Sequence, residues 1–408
     1  MKTFRFHVGI DWADRAHQVS LREGSMGRVE EKVFDHSGAG LRSMIDWLIR
    51  RSDGQPGDVG VAIEITRGAI VEALMERGFA VFAINPKQLD RFRDRHTVAG
   101  AKDDRRDAFV LLHSLATDPH AFRELCVEDA ATLTLREHAR MYEDLKEDLR
   151  RLTNQLREQL HRYYSQMLAL SSGADEPWVW DILERAPLPD QGARLRERSA
   201  ERILLDHRIR RISAADVVEA LRAPSLPLTP GAVLAARAHV ALLLPRIRLT
   251  RAQLDEVEAT LGRLLDEMET TEGEIGGHRD VKITRSWPGQ GVIVAATMLA
   301  EGSRPLETRD YHWLRALCGV APVTRQSGRA RKVVMRQACN DRLRTAVHWW
   351  AGSAIRHDAK SKALYAAHKA RGHSHGRSLR AVADRLLRDL IVCLAKGEPY
   401  RHELRRVA

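Results

Sequence analysis

Four acidic residues in the first part of the chain have the types and the spacing for metal-dependent phosphoryl transfer. Asp11 follows a short apolar run at Val8–Ile10, and Glu64 stands between two isoleucines in a second apolar run. Asp104 and Asp107 are three positions apart, so on a helix they would lie on one face. Carboxylates that are brought together repel one another unless a cation neutralises them. Hard ions such as Mg²⁺ prefer oxygen ligands, and a pair of such ions can stabilise an in-line phosphoryl displacement.

Each of these acids also has a simpler structural explanation. A lone aspartate after a strand, such as Asp11, commonly begins a turn. Asp104 and Asp107 would be favourable in the first turn of a helix without any ligand. Glu64 is harder to explain in this way, because a glutamate inside an apolar strand requires a partner or a metal ion. The order and context of the four acids together favour the metal site.

A serine in a basic segment of the C-terminal region could supply a nucleophile. Ser327 precedes Gly328, which permits an exposed turn. Basic side chains around it could hold a phosphodiester and offset the charge of its transition state. These candidate nucleic-acid-binding residues are Arg325, Arg329, Arg331, Lys332 and Arg336. The alternative is that Ser-Gly is only a turn and that the arginines bind the DNA backbone, which from the residues alone is the commoner case.

The pattern of apolar residues predicts the elements that would position the acids. Strand-like runs in residues 4–36 indicate a meander, and a second central strand is predicted at Val59–Ile65. Alternating helical and strand-like segments follow, which indicates an α/β domain with a mixed sheet flanked by helices. If the strands that lead to Asp11 and Glu64 are neighbours, both carboxylates meet at one edge of the sheet. A helix that begins near Asp103 would add the second acidic pair.

The chain beyond the predicted sheet domain is expected to be mainly helical. Apolar residues recur at spacings of three and four from Met141 to Met167 and from Leu254 to Met268, which predicts two long amphipathic helices. They could pair as an antiparallel arm, dimerise with a second chain, or pack inside one bundle. Ser171–Leu244 contains several prolines, short helical runs and no recognisable chemistry. The predicted domains are 1–130, 131–277 and 278–408.

Composition narrows the class of partner. The net charge of +11 suits a polyanion, with nucleic acid as the first choice and an anionic membrane as a distant second. No apolar run is long enough for a membrane helix and no signal peptide is recognisable, so a cytoplasmic, nucleoid-associated protein is expected. The scattered cysteines form no CxxC pair, which argues against a zinc ribbon, and the lack of a P-loop motif argues against an ATP-driven motor.

These motifs together resemble the DEDD transposases of the insertion-sequence 110 family, the recombinases guided by a bridge RNA. In the N-terminal region the resemblance rests on VGIDWADRAHQVSL around Asp11, VAIEITRG around Glu64, and AKDDRRDAFVL around Asp104 and Asp107. In the C-terminal region it rests on SWPGQGVIVAATMLAEG, LRALCGVAPVTRQSGRARK and RLLRDLIVCLAKGEPY. The middle, about residues 170–245, matches only as a variable helical region.

The resemblance implies a fold, a cofactor and partners. The fold would be a RuvC-like, ribonuclease-H-like domain, a coiled-coil arm and a mainly helical transposase domain. Asp11, Glu64, Asp104 and Asp107 would hold two Mg²⁺ ions, with Mn²⁺ as a substitute, and Ser327 would form a transient phosphoserine link to DNA. A noncoding bridge RNA would pair with donor and target DNA. The carboxylate domain of one protomer would act with the serine domain of another, in a homotetramer of paired dimers.

Two questions stay open at this stage. Where the family often has Lys-Thr-Asp, this chain has Lys102-Asp103-Asp104, so Asp103 is an alternative ligand, although Asp104 preserves the spacing to Asp107. Two other functions also remain. A RuvC-like nuclease that hydrolyses DNA with water would need the carboxylates but not Ser327, and a nucleic-acid-binding protein without catalysis would need neither.

Overall fold

The computed structural model describes residues 3–24, 26–96, 103–125, 129–225, 228–270, 277–328 and 330–401. The chain forms two compact units, residues 1–128 (unit 1) and 129–408 (unit 2). The segment from Thr97 to Lys102 and the candidate nucleic-acid-binding residue Arg329 lie outside the described residues. Among the helices in the described ranges, none combines the length and the hydropathy that a membrane-spanning segment needs.

Unit 1 is built on a mixed sheet of six strands in its described residues. The strands are β1 (Phe6–Asp11), β2 (Ala16–Glu23), β3 (Val29–Asp35), β4 (Val59–Ile63), β5 (Ala80–Ala83) and β6 (Arg123–Glu124). The strand order is β3-β2-β1-β4-β5-β6. β1 pairs antiparallel with β2 and parallel with β4. The predicted meander and the predicted mixed sheet are therefore confirmed.

Helices cover both faces of this sheet. They are α1 (Gly38–Arg51), α2 (Ala69–Glu76), α3 (Pro86–His96) and α4 (Asp104–Thr117). Val8 and Ile10 of β1 pack in one core cluster with Leu48 of α1 and Leu74 of α2. Successive side chains of a strand point to opposite faces, so Gly9 and Asp11 face the other way. On that other face α4 packs against the sheet, because the backbone of α4 lies directly against Gly9.

The structure gives the position of Asp103 at the start of α4 and corrects the predicted end of the second central strand. Asp103 is the N-cap of α4, and its side chain accepts a hydrogen bond from the backbone N–H of Arg105 at 3.3 Å. The predicted strand at Val59–Ile65 was too long, since β4 ends at Ile63. Glu64 therefore stands one residue beyond the strand and is half-buried, where exposure to solvent lowers the cost of its charge.

Unit 2 is mainly helical, as predicted, with one exposed β-hairpin in its described residues. Its longest helices are α5 (Ala130–Tyr163) and α11 (Pro230–Thr270). Between them lie α6 (Gln166–Leu170), α7 (Pro177–Arg185), α8 (Pro189–Ala193), α9 (Glu197–Asp206) and α10 (Ala214–Arg222). After them come α12 (Gly277–Arg285), α13 (Val292–Glu301), α14 (Ser303–Glu307), α15 (Tyr311–Leu317), β7 (Val323–Ser327), β8 (Ala330–Val334), α16 (Asp341–His357), α17 (Ala359–Ala370) and α18 (His375–Lys396).

The two long helices pair with each other in an antiparallel direction. Leu135 near the start of α5 shares a core cluster with Leu265 near the end of α11. Leu156 near the end of α5 shares a second cluster with Val240 in the first half of α11. Within one chain, the two predicted amphipathic helices therefore pack against each other.

One predicted helix is displaced toward the N-terminus: α5 begins at Ala130, before the predicted start at Met141, and it ends earlier than expected. α5 ends at Tyr163, and Met167 lies on the separate helix α6. The break turns the adjacent rings of Tyr163 and Tyr164 into the same core, and the hydroxyl of Tyr163 donates a hydrogen bond to the carbonyl of Pro187 at 3.0 Å. The helix ends here because Tyr164, the C-cap of α5, has a φ of −143° and a ψ of 57°, which is not a helical conformation.

Candidate functional site

The edge of the sheet in unit 1 brings the first two candidate acids together. In the parallel pairing of β1 and β4, Ile10 is the partner of Ile63. Asp11 and Glu64 each follow one residue later, so they leave neighbouring strands at the same edge. Both are half-buried. A half-buried carboxylate is partly desolvated yet still reachable by a cation and a substrate, which suits a metal ligand.

The direction of α4 places the other two acids at the same edge. Arg22 pairs with His7 in the sheet, at the end opposite Asp11, and its guanidinium lies 3.5 Å from the ring of His113 in the second half of α4. The first turn of α4 therefore points toward the Asp11 end of β1. Asp104 and Asp107 lie in this first turn. The four acids thus share one end of the unit, on the α4 face of the sheet.

Arg93 on α3 binds the most deeply buried of these acids. Its Nε and Nη2 donate to Oδ1 and Oδ2 of Asp107 at 2.6 and 2.8 Å, and the Asp107 side chain is only 2% exposed. Burial lowers the pKa of Arg93, but hydrogen bonding to Asp107 and the charges of Asp107, Asp90 and Glu64 outweigh burial and raise it. The guanidinium of Arg93 therefore interacts electrostatically with both Asp107 and Glu64.

The donor set fits a hard divalent cation by its chemistry. Asp11, Glu64, Asp104 and Asp107 supply only carboxylate oxygens, which Mg²⁺ and Mn²⁺ prefer. Across the part of the chain that the structure describes, no three His, Cys, Asp or Glu side chains have the arrangement of a formed metal centre. The guanidinium of Arg93 donates to both oxygens of Asp107. Asp103 acts as a helix cap, which explains its presence without a metal role.

The candidate nucleophile Ser327 lies in unit 2 at the tip of the β7–β8 hairpin. Ser327 is paired with Ala330, and Gly328 in the turn has a φ of +55°, a left-handed conformation that glycine adopts at little cost. The serine is exposed. The sequence predicted the turn but not the strands, because their residues are mostly polar and exposed and so lack the apolar alternation of a half-buried strand.

The register of the hairpin determines which of the candidate basic residues lie on the same face as Ser327. Arg325 is directly opposite Lys332, and both lie on the same face as Ser327, because residues two apart on a strand share a face. Arg331 is opposite Gln326 and faces the other way. Arg336 follows the hairpin, and its Nε donates to the carbonyl of Ala321 at 3.3 Å. Arg325 and Lys332 are thus the described cations that share a face with the serine.

The opposed cations make the hairpin a suitable surface for an anion. Like charges directly opposite each other destabilise a strand pair, and an isolated two-stranded hairpin is marginally stable. No carboxylate of the described residues forms an ion pair with Arg325 or Lys332, and both side chains are exposed. A phosphate group between them would relieve their repulsion.

Sequence comparisons give the ancestry of the chain. A family model for transposases of the DEDD type in the IS110 family matches residues 8–165, and the model of the transposase IS116/IS110/IS902 family matches residues 281–366. A putative transposase, y4uE, of Sinorhizobium fredii is 48% identical over 209 residues, which are 51% of this chain and 58% of that protein. The chain thus spans little more than half the length of that relative.

Two proteins of Streptomyces coelicolor match over nearly their whole lengths. The mini-circle putative transposase for IS117 is 31% identical over 95% of this chain and 93% of its own length. An uncharacterized 43.6 kDa protein of insertion element IS110 is 24% identical over 97% of this chain and 96% of its own length. The chain belongs to the IS110 family of transposases, enzymes that cut and rejoin DNA.

Proposed function

We propose that this transposase recombines DNA through a Mg²⁺-dependent site of Asp11, Glu64, Asp104 and Asp107 and through Ser327 as nucleophile. The observation that supports the proposal best is the pairing of β1 with β4, which sends Asp11 and Glu64 to one edge of the sheet. The direction of α4 adds Asp104 and Asp107 to that end. A structural role would not require four acids from three different segments at one place, because their mutual repulsion is costly.

The chemical step that we assign to Ser327 is a transesterification. Its Oγ attacks the scissile phosphorus, an Oγ–P bond forms, and the bond from phosphorus to the leaving sugar oxygen breaks. The proton of the serine passes to that sugar oxygen, so one phosphate ester replaces another. A later attack by a sugar hydroxyl reverses the exchange and frees the serine, and no nucleotide is consumed. This balance agrees with the absence of a P-loop motif.

The residues around Ser327 would stabilise this step electrostatically. Arg325 and Lys332 share the face of Ser327 and are placed to hold the phosphate and to offset the negative charge that grows in the transition state. A divalent cation bound by the four carboxylates of another protomer would supply further stabilisation of charge on the attacked phosphate and the leaving oxygen. Ser327 is exposed at a hairpin tip, so packing does not explain it.

The partners that we propose are donor and target DNA, a noncoding bridge RNA and further copies of this chain, in paired dimers that form a homotetramer. The net charge of +11 supports polyanionic partners, and these would place the protein at the nucleoid of a bacterial-type cell. Contacts between copies are supported by exposed leucines on α11. Leu234, Leu242 and Leu249 are eight and seven positions apart and lie on one face of that helix.

Covalent capture tests the nucleophile. The purified protein with its co-purifying RNA is incubated with Mg²⁺ and labelled DNA that carries the element junction, then denatured and separated. We expect a protein-linked label that is lost in Ser327→Ala and in Asp11→Ala. The matched control is Thr324→Ala, which removes an exposed hydroxyl from the opposite face of the same strand.

Two other outcomes would favour the alternative functions. Cut DNA ends without any linked protein, still dependent on Asp11, would indicate a RuvC-like nuclease that uses water. DNA binding that survives while neither cutting nor linkage occurs in the wild-type protein would indicate a nucleic-acid-binding protein without catalysis.

A further inference from the structure

A cation that belongs to the protein itself already binds one acid of the candidate metal site. Arg93 approaches Asp107 with two nitrogens at 2.6 and 2.8 Å, and this pair is fork-to-fork, the strongest geometry for a guanidinium and a carboxylate. The side chains of Arg93 and Asp107 are 22% and 2% exposed. Glu64, the acid at the end of β4, also acts electrostatically on the same guanidinium.

A divalent cation would need the same oxygens. Both oxygens of Asp107 accept hydrogen bonds from Arg93, and burial of the carboxylate leaves little room for another ligand on its remaining sides. A metal ion and a guanidinium also repel each other when they are close and partly desolvated. The two cations are therefore alternatives for Asp107 rather than companions.

The surroundings of Arg93 provide a place for the guanidinium after an exchange. Nη1 of Arg93 already donates to Oδ1 of Asp90 at 2.6 Å, three positions earlier on α3. The Asp90 side chain is largely exposed. Arg93 could therefore leave Asp107, keep Asp90 as its partner and turn toward solvent without becoming a buried, unpaired charge.

We propose that Arg93 is a built-in counter-cation that holds Asp107 while the site lacks metal and yields it when a divalent cation binds. This proposal rests on the proposed function, since it concerns the same carboxylates, and it makes Arg93 a positioning residue rather than a catalytic one. The ion pair allows the clustered acids to lie together in the folded protein without metal. It also weakens the affinity of the site for a divalent cation, because the pair must be broken before the cation binds. Metal loading then depends on breaking one ion pair.

The test compares metal binding by full-length variants, with Mn²⁺ as the probe and electron paramagnetic resonance or calorimetry as the readout. We expect Arg93→Gln to bind Mn²⁺ about tenfold more tightly than the wild type, because the competing charge-assisted hydrogen bonds are gone. The matched control is Arg95→Gln on the same helix, which removes a largely exposed arginine that pairs with Asp118 at 2.9 Å. Its affinity for Mn²⁺ should match that of the wild type.

The same variants should differ in stability when metal is absent. In excess chelator, Arg93→Gln leaves Asp107 buried without a cation, so its melting temperature should fall at least about 4 °C below that of Arg95→Gln. Saturating Mn²⁺ should remove most of this difference. Arg93→Lys keeps the charge but not the fork, and it should bind Mn²⁺ with intermediate affinity even if Arg93→Gln folds poorly.

Specific results would overturn the proposal. Mn²⁺ affinity that is equal or weaker in Arg93→Gln, or an Arg93 Nε–H nuclear magnetic resonance signal that saturating Mg²⁺ leaves unchanged, would show that Arg93 does not compete with metal. The proposed function fails separately. If the wild type binds Mn²⁺ and Asp11→Asn binds it equally well, the metal does not use the carboxylate site, whatever Arg93 does.

Discussion

The carbonyl oxygen of Ala108 lies directly over Gly9, so that a β-carbon at residue 9 would stand 1.9 Å from it. The same β-carbon would be 2.6 Å from the backbone nitrogen of Leu112. Both atoms belong to the backbone of α4, which cannot yield as a flexible side chain could. Gly9 therefore sets the distance between β1, which ends at Asp11, and the helix that carries the second acidic pair.

Replacement of Gly9 by alanine should disturb the site and the fold together. Gly9→Ala pushes α4 away from β1, and overpacking of this kind should lower the free energy of unfolding by about 3 kcal/mol. It should also weaken Mn²⁺ binding, since Asp104 and Asp107 move with α4. Urea unfolding and Mn²⁺ titration check both effects. Gly38→Ala is the control, because its β-carbon meets open space, and a similar loss of stability there would contradict this explanation.

The two faces of the hairpin should respond differently to mutation. Arg325→Ala and Lys332→Ala remove cations from the face of Ser327, and each should lower the single-turnover rate of covalent capture by about 100-fold. Arg331→Ala removes a cation from the other face and should lower that rate by much less, while weakening binding to DNA of any sequence. Equal losses of rate in all three variants would contradict the explanation that only cations on the face of Ser327 stabilise the reaction.

A buried ion pair between α5 and the end of α13 should be important for stability. Nε of Arg140 on α5 donates to Glu301 at 2.7 Å, and the Glu301 side chain is 7% exposed. Glu301 also accepts a hydrogen bond from Asn340, the N-cap of α16. Arg140→Ala leaves the buried carboxylate without its hydrogen-bonded cation, although the charge of Arg136 still acts on it. The substitution should cost about 3 kcal/mol of unfolding free energy.

An exposed pair on the same helix serves as the control for Arg140→Ala. Arg150 pairs with Glu147 at 3.0 Å, and both side chains are 72% exposed. Arg150→Ala should therefore change the denaturant midpoint very little, because surface ion pairs contribute little. Equal midpoints for the two variants would show that Glu301 does not depend on Arg140.

Glu301 should also make stability depend on pH. Burial raises the pKa of Glu301, but Arg140 and Asn340 outweigh burial, so the pKa lies below its ordinary value of 4.5. The unfolded chain then takes up the proton at a higher pH than the folded chain. The stabilisation is complete above about pH 4.5 and declines as the pH falls through the folded pKa. The stability difference between wild type and Glu301→Gln, measured by urea unfolding from pH 7 to pH 3, should shrink toward low pH.

Sequence patterns predicted the elements whose residues alternate between core and solvent or that bury an apolar face. The apolar run at Val8–Ile10 lies in β1, and the burial of Leu254, Val257 and Leu261 on α11 confirms the amphipathic helix predicted there. The neighbouring positions of Asp11 and Glu64 followed from two apolar strands of the same sheet. These predictions succeed because burial imposes a period on the sequence.

What could not be predicted depends on contacts between distant segments. α3 has only Leu89 and Phe92 as large apolar residues, so no helical period marks it, and the pairing of its Arg93 with Asp107 arises only when α3 and α4 pack together. The strands β7 and β8 also carry no apolar period. Local sequence patterns therefore predict neither the pairing of Arg93 with Asp107 nor which residues share a face of the hairpin.

Because α5 pairs with α11, the segment that matches the first family model is not the segment that folds as a compact unit. The first family match ends at residue 165, just beyond α5, whereas the compact units divide between residues 128 and 129, just before α5. A fragment cut at the limits of that match would retain a helix of 34 residues without its partner, and would turn Leu152, Leu156 and Leu160 toward water. Such a fragment should aggregate, while one that ends at residue 128 keeps the acidic sheet and leaves α5 with the core that buries it.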